Sequence, residues 1–369
     1  MRAASMSDHM ITVDGKRFVL LLAILCGVSA GEVPSVPQSG DPTISAALAT
    51  IVNTRHVPAM AGAILTSAGI QKCGAAGWRR AGDPTPVTVD DQWHLGSDTK
   101  TMTATLAARL VERGLIKWDS SVAEVLPDAG SGWGSVTLDQ LLTHRAGITV
   151  EPDYWQIPDR RTAIRVITAK PPSSPSGTTY WYSNSGYVLA GAMLERVGGH
   201  SWEELLRTEV WLPMHMAGCG FGGMGIAGMI DQPWGHTGQG RVASNGPKAD
   251  NPPVMGPAGT VHMPIRAWAA FIADQLKGAR GDAGLLPVAA YKHMQTPWPG
   301  GDYALGWQVT QRSWAQGPAY THAGSNTLHM AVVWMAPGID RAILICCNQG
   351  EADAACDDAA IALLKLATP

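Results

Sequence analysis

Apolar residues recur at three- and four-residue spacing in several blocks and at two-residue spacing in others, and the change of period divides the chain. Behind Asp41-Pro42, a good helix start with proline at the first helical position, Ile44, Leu48, Ile51 and Val52 predict one helical face to about Arg55. Residues 59–78, AMAGAILTSAGIQKCGAAGW, read instead as two short strands joined by a turn at Ser67-Ala68-Gly69. Helical spacing resumes over 98–113 with Gly114 as a natural stop, and again over 136–147, 186–197, 201–211 and about 264–276. Loops rich in Pro, Ser and Gly occupy 171–179, and 232–257, which carries no periodicity, predicts an extended surface excursion. Strand-like runs then dominate at 303–310, 328–336 and 341–347, before a final helix at roughly 352–366. Strands lie at both ends and helices in the middle. The pattern predicts an α/β (α+β) fold: an antiparallel sheet built from the N- and C-terminal segments, flanked by helices, with a largely helical insertion. The α/β part is expected at about 41–122 and 300–369, and the helical part at about 123–299.

Composition narrows the function. Charged residues make up 15% of the 369, against roughly 25% in a typical soluble domain, and apolar residues 46%. A chain of this kind buries a large core, and a net charge of -3 offers no basic footprint for nucleic acid. Lys16-Arg17 precede the apolar run FVLLLAIL at 18–25, and small residues follow at Val28 and Ala30. That arrangement predicts a signal peptide over 1–30, cut near Ala30, and a secreted or periplasmic protein with a single mature unit at 31–369. The run is too short to serve as a stable membrane anchor across about 30 Å of hydrocarbon. Five cysteines lie beyond residue 30, and Cys346 and Cys347 should face opposite sides of a strand. A Cys347–Cys356 bridge and buried free thiols are both open readings. No Cys/His spacing resembles a metal site, so neither metal nor cofactor is expected.

The chemistry lies in three short stretches. In HLGSDTK, residues 94–100, Ser97 stands three residues before Lys100, and no other lysine has a serine at that offset. On a helix this spacing puts both side chains on one face, within reach of each other. A desolvated lysine can take the proton that keeps a serine hydroxyl a poor nucleophile, and a helix start offers N–H groups to a developing oxyanion. Ser97 as a helix cap and Lys100 as a solvated neighbour is the plainer alternative. Tyr182-Ser183-Asn184 is the only YxN among seven tyrosines. It sits between a loop and a helix, where side chains can be presented into a cleft, although aromatic packing would also account for the tyrosine. His236-Thr237-Gly238 and His322-Ala323-Gly324 are both HxG tripeptides. The first lies in the irregular excursion and reads as a loop residue, whereas the second introduces strands whose edge can pair with an extended substrate. GFGGMG at 220–225 matches GxGxxG without a surrounding βαβ unit, and no GxSxG elbow is present.

Taken in order, SxxK, YxN and HxG resemble the serine hydrolases of the class C β-lactamase and DD-peptidase superfamily. That superfamily includes family VIII-type carboxylesterases and D-aminopeptidases. Supporting stretches are GSDTKTMTATLAARLVERGLIKWDSSVAEVLPD (96–128), LDQLLTHRAGI (138–148), YSNSGYVLAGAMLE (182–195), PAGTVHM (257–263), ALGW (304–307) and HAGS (322–325), and the likeness spans about 45–350. The resemblance implies a β-lactamase/transpeptidase-like fold and a small-molecule or peptide acyl substrate. It makes Ser97 the acylated nucleophile and Lys100 and Tyr182 the proton-handling pair. Asn184, His322, Gly324 and Ser325 would contact substrate, and the backbone N–H groups of Ser97 and Ser325 would form the oxyanion hole. One departure matters: the β-lactamases proper usually carry lysine where this chain has His322, which is largely neutral near pH 7. The expectation is therefore an esterase or D-amino-acid peptidase, with a dedicated β-lactamase and a penicillin-binding sensor as alternatives.

Overall fold

A computed structural model describes residues 36–246 and 248–367; the predicted signal peptide lies outside the described residues. The chain enters at β1 (Gln38–Gly40) and turns into α1 (Pro42–Arg55). Asp41 caps that helix, its carboxylate accepting the N–H groups of Thr43 at 2.9 Å and Ile44 at 3.1 Å. Then follow β2 (Ala59–Thr66), β3 (Gly69–Gly77) and the short β4 (Gln92–His94). The next helices are α2 (Thr99–Glu112), α3 (Val122–Val125), α4 (Leu138–Leu142), α5 (Arg160–Ile167), α6 (Asn184–Gly198) and α7 (Trp202–Leu206). After β5 (Gly220–Phe221) come α8 (Gly256–Gly259), β6 (Val261–Pro264), α9 (Ile265–Ala279) and α10 (Val288–Gln295). Strands β7 (Gln308–Arg312), β8 (Gly317–Ser325), β9 (Met330–Ala336) and β10 (Arg341–Cys347) lead into α11 (Asp353–Ala367).

The main sheet has seven strands in the order β1-β3-β2-β10-β9-β8-β7, and every pair is antiparallel. The last strand, β10, therefore lies at its centre, with Leu344 opposite both Ala63 and Val333. Alternation along β10 splits the core, as the two-residue period requires. Ile343, Ile345 and Cys347 meet α1 and α11 on one face, while Ala342, Leu344 and Cys346 join the larger core that runs into the helical region. The five described cysteines are free thiols. Helix α9 covers the second face, and β4, β6 and β5 form a separate three-stranded sheet beside it. Among the described residues no helix is long and apolar enough to cross a membrane.

Three expectations change. The helix expected over 136–147 is confined to Leu138–Leu142, because His144 takes a left-handed φ of 59° that no helix can continue. The strand expected from 303 begins at Gln308, since Ala304 N–H bonds Trp307 O at 2.7 Å and folds 303–307 into a turn. Residues 232–257 are not a surface excursion: His236 and Asp250 are buried, and His236 bridges to both Val242 and Gln349. Aperiodic sequence here marks a segment held by side-chain and bridge hydrogen bonds, which leave no apolar rhythm.

Candidate active site

Ser97 occupies the middle of a 3-10 turn, Gly96–Asp98, that runs directly into α2, so Lys100 falls in the first turn of that helix. The start of α2 is tied to its neighbours: Thr99 Oγ1 accepts the Val261 N–H at 3.1 Å, and Thr103 Oγ1 donates to Pro257 O at 2.8 Å. The second bond holds α8 so that Ala258 O points at the lysine. Tyr182 lies in the loop before α6, and Ser183 caps that helix, its hydroxyl accepting the Gly186 N–H at 3.3 Å. Asn184 is thereby fixed at the first helical position. His322, Gly324 and Ser325 stand at the end of β8.

These elements converge on Lys100, whose Nζ lies 3.0 Å from Ser97 Oγ, 2.8 Å from Asn184 Oδ1 and 2.7 Å from Ala258 O. It also sits 4.9 Å from the centre of the Tyr182 ring. His322 faces Tyr182 across the site, with ring centres 6.4 Å apart. The β8 backbone is pressed against the serine turn. A Cβ on Gly324 would stand 1.9 Å from Leu95 O, and one on Gly96, at φ 49°, would stand 2.2 Å from Ser325 N. Only glycine at both positions lets the Ser97 and Ser325 amides approach each other. The structure thus brings together all seven residues singled out from the sequence. His236 lies elsewhere, with Nδ1 2.8 Å from Asn348 O and Nε2 accepting the Ala81 N–H at 3.1 Å.

The site is strongly desolvated. Lys100 is completely buried, and burial lowers its pKa to about 7 against the opposing pull of Glu151 and Asp98. Burial raises the Tyr182 phenol above its ordinary 10, with a hydrogen bond involving Ser97 partly offsetting the rise. His322 is pushed down to about 3 by burial and then by Lys100, so its imidazole is neutral at physiological pH.

Several participants escaped the sequence reading. Asp98 is buried with neither carboxylate oxygen hydrogen-bonded, His322 Nδ1 standing 3.8 Å from Oδ1, and burial raises its pKa well above 3.8. Tyr303 OH lies 3.0 Å from His322 Nε2. His144 accepts the Ser183 N–H at 3.1 Å and lies against Tyr182 with ring centres 4.2 Å apart. Glu151 receives the Ser185 N–H at 3.0 Å and the Ser185 hydroxyl at 2.8 Å, buttressing the start of α6. Asp98 was within view as an acid inside the serine turn of a charge-poor chain; Tyr303 and Glu151 carried no local signal. Among the described residues no group of three or more His, Cys, Asp or Glu is arranged to hold a metal ion.

Gly324→Ala is a direct check on the close approach. The methyl has no room against Leu95 O, so β8 must move off the serine turn. Turnover should fall by at least about 100-fold, the scale of losing one oxyanion donor. Thermal melting should show destabilisation of about 1–3 kcal/mol from overpacking. A variant with full activity would disprove the close approach as a requirement.

Comparison with known proteins gives the family and agrees with the fold. Residues 44–367 match the Beta-lactamase family. Penicillin-binding protein 4 of Amycolatopsis lactamdurans is 30% identical over 166 residues, which cover 43% of this chain and 43% of that protein. The octameric penicillin-binding protein homologue from Pyrococcus abyssi superposes with a TM-score of 0.73 at 21% identity, covering 87% of this chain and 76% of that one. The class C beta lactamase from Rhodobacter sphaeroides gives a TM-score of 0.72 at 20% identity, covering 88% and 99%. These structures share the fold, with its antiparallel sheet and flanking helices. The breadth of the family match, over residues 44–367, makes this chain a member of the Beta-lactamase family.

Proposed function

We propose that the protein is an exported hydrolase that cleaves an ester or amide through an acyl-enzyme on Ser97. The reading is carried by the surroundings of Lys100 Nζ. A neutral amine has two hydrogens and one lone pair. Its neighbours Asn184 Oδ1 and Ala258 O are acceptors and take the hydrogens, which leaves the lone pair to Ser97, the partner that carries a hydrogen of its own. Lys100 then acts as the base. Ser97 Oγ attacks the carbonyl carbon as its proton passes to Nζ, and the oxyanion gathers the N–H groups of Ser97 and Ser325. Collapse of that intermediate breaks the bond to the leaving group, which takes a proton from the Tyr182 phenol. The Lys100 ammonium replaces that proton. Water then attacks the acyl carbonyl, gives a proton to the same pair, and releases the acid while Ser97 recovers its hydrogen.

The neutral His322 supports an ester or peptide substrate over a dedicated β-lactamase role, because it presents no cation to a substrate carboxylate. Export rests on the basic, apolar and small-residue succession over residues 16–30. Turnover of a short nitrophenyl ester, a chromogenic cephalosporin and D-amino-acid peptides by the mature chain tests the substrate class. The ester or a peptide is expected to exceed the cephalosporin at least about tenfold in kcat/KM, a difference of about 1.4 kcal/mol in transition-state binding. Faster cephalosporin hydrolysis would reverse the preference, and a stable penicillin adduct without turnover of any substrate would favour a sensor.

A further inference from the structure

We infer that a buried His94–Asp250–Asn326 network positions the two halves of the oxyanion pocket. The inference rests on the acyl-enzyme reading above and assigns residues outside the Ser97, Lys100 and Tyr182 set. His94, on β4, is 2% exposed, and its Nδ1 accepts the Gly96 N–H at 3.0 Å. Its Nε2 stands 2.8 Å from Asp250 Oδ1 without an aligned hydrogen bond. The same carboxylate oxygen accepts Asn326 Nδ2 at 3.0 Å. Asn326 Oδ1 in turn accepts the His329 N–H at 2.9 Å and the Leu328 N–H at 3.2 Å, fixing the turn between β8 and β9.

The two ends of this network are each one residue from a pocket amide. Gly96 precedes Ser97, and Asn326 follows Ser325. The Ser325 hydroxyl is committed to the turn, donating to His329 O at 2.8 Å and accepting the Thr327 N–H at 2.9 Å, so the residue's backbone N–H is what it offers the pocket. Asp250 also settles the state of the imidazole. A carboxylate only accepts, so its proximity keeps the hydrogen on Nε2 and leaves Nδ1 an acceptor for Gly96. The network thus spans the seam between the serine turn and β8 by side chains, where the backbones themselves share no strand pairing. Burying an acid and an amide is costly unless they are bonded, and apolar side chains would fill the same space without that cost.

The experiment compares kcat and KM for a nitrophenyl ester in the wild-type chain, Asp250→Ala, Asp250→Asn, Asn326→Ser and Ser97→Ala, each checked for folding by thermal melting. Asp250→Ala and Asn326→Ser should lower kcat by about 10- to 100-fold, as loss of an outer partner does elsewhere, with KM changed less than about threefold. Asp250→Asn keeps an oxygen to accept Asn326 Nδ2 and to stand against His94 Nε2, and should return kcat to within about fivefold of wild type, below that range. Folded Asp250→Ala or Asn326→Ser with kcat unchanged, or with the loss confined to KM, overturns the proposal. So does an Asp250→Asn variant as impaired as Asp250→Ala. Turnover surviving in Ser97→Ala overturns the acyl-enzyme reading instead, whatever the network variants do.

Discussion

Ser97→Ala is expected to remove ester turnover by roughly 10⁴- to 10⁶-fold, the range seen when the nucleophile of a serine hydrolase is deleted. Stability should move by no more than about 2 kcal/mol, because the half-buried hydroxyl gives up only its hydrogen bonds with Lys100 and Tyr182. The two readouts separate a chemical loss from a folding one. Intact-mass measurement after brief exposure to an activated ester adds a third: wild type should gain the acyl mass and the variant should not. Acylation of the variant at another residue would remove Ser97 from the mechanism, however well it sits in the cleft.

Lys100 should make kcat/KM depend on pH with a definite sign. Burial lowers its pKa to about 7, so the ammonium prevails below that value and the neutral base above it. Activity should therefore climb about tenfold per pH unit below 7 and level off by about pH 8. The Tyr182 phenol, raised above 10, keeps its proton throughout that range and introduces no second limb there. His322, already neutral, contributes no step near pH 6.5. Lys100→Arg retains a positive charge that does not titrate, and should cost about 10²- to 10⁴-fold at every pH between 6 and 9. A wild-type profile flat across pH 5–8 would show that the amine is not the base.

Much of the site was legible because its parts are local. Ser97 and Lys100 lie three residues apart and Tyr182 and Asn184 two apart, so one helix start and one cap suffice to orient each pair. His322 was separable from His236 because β8 has strand character and the segment around His236 does not. Asp250 was hidden for the opposite reason: it lies in an aperiodic stretch and reaches His94 and Asn326 only across the fold. His144 stood within the quoted LLTHRAG stretch, yet its place under Tyr182 depends on a left-handed residue that ends α4 early.

The sequence by itself determined the helices α1, α2, α6, α9 and α11, the β2–β3 pair, strands β9 and β10 with part of β7 among the four C-terminal strands, and the chemical types that meet at the site. Those follow from periodicity, capping and spacing, which act over one or two turns of chain. Only the tertiary structure decided that the last strand becomes the middle of the sheet, that β8 presses its glycine against the serine turn, and that Lys100 is sealed from water among three oxygen atoms. Proton affinity and the meeting of distant amides are set by desolvation and close packing of segments more than 80 residues apart along the chain, as Lys100 and Asn184 are at a separation of 84. No local pattern encodes that exclusion of water.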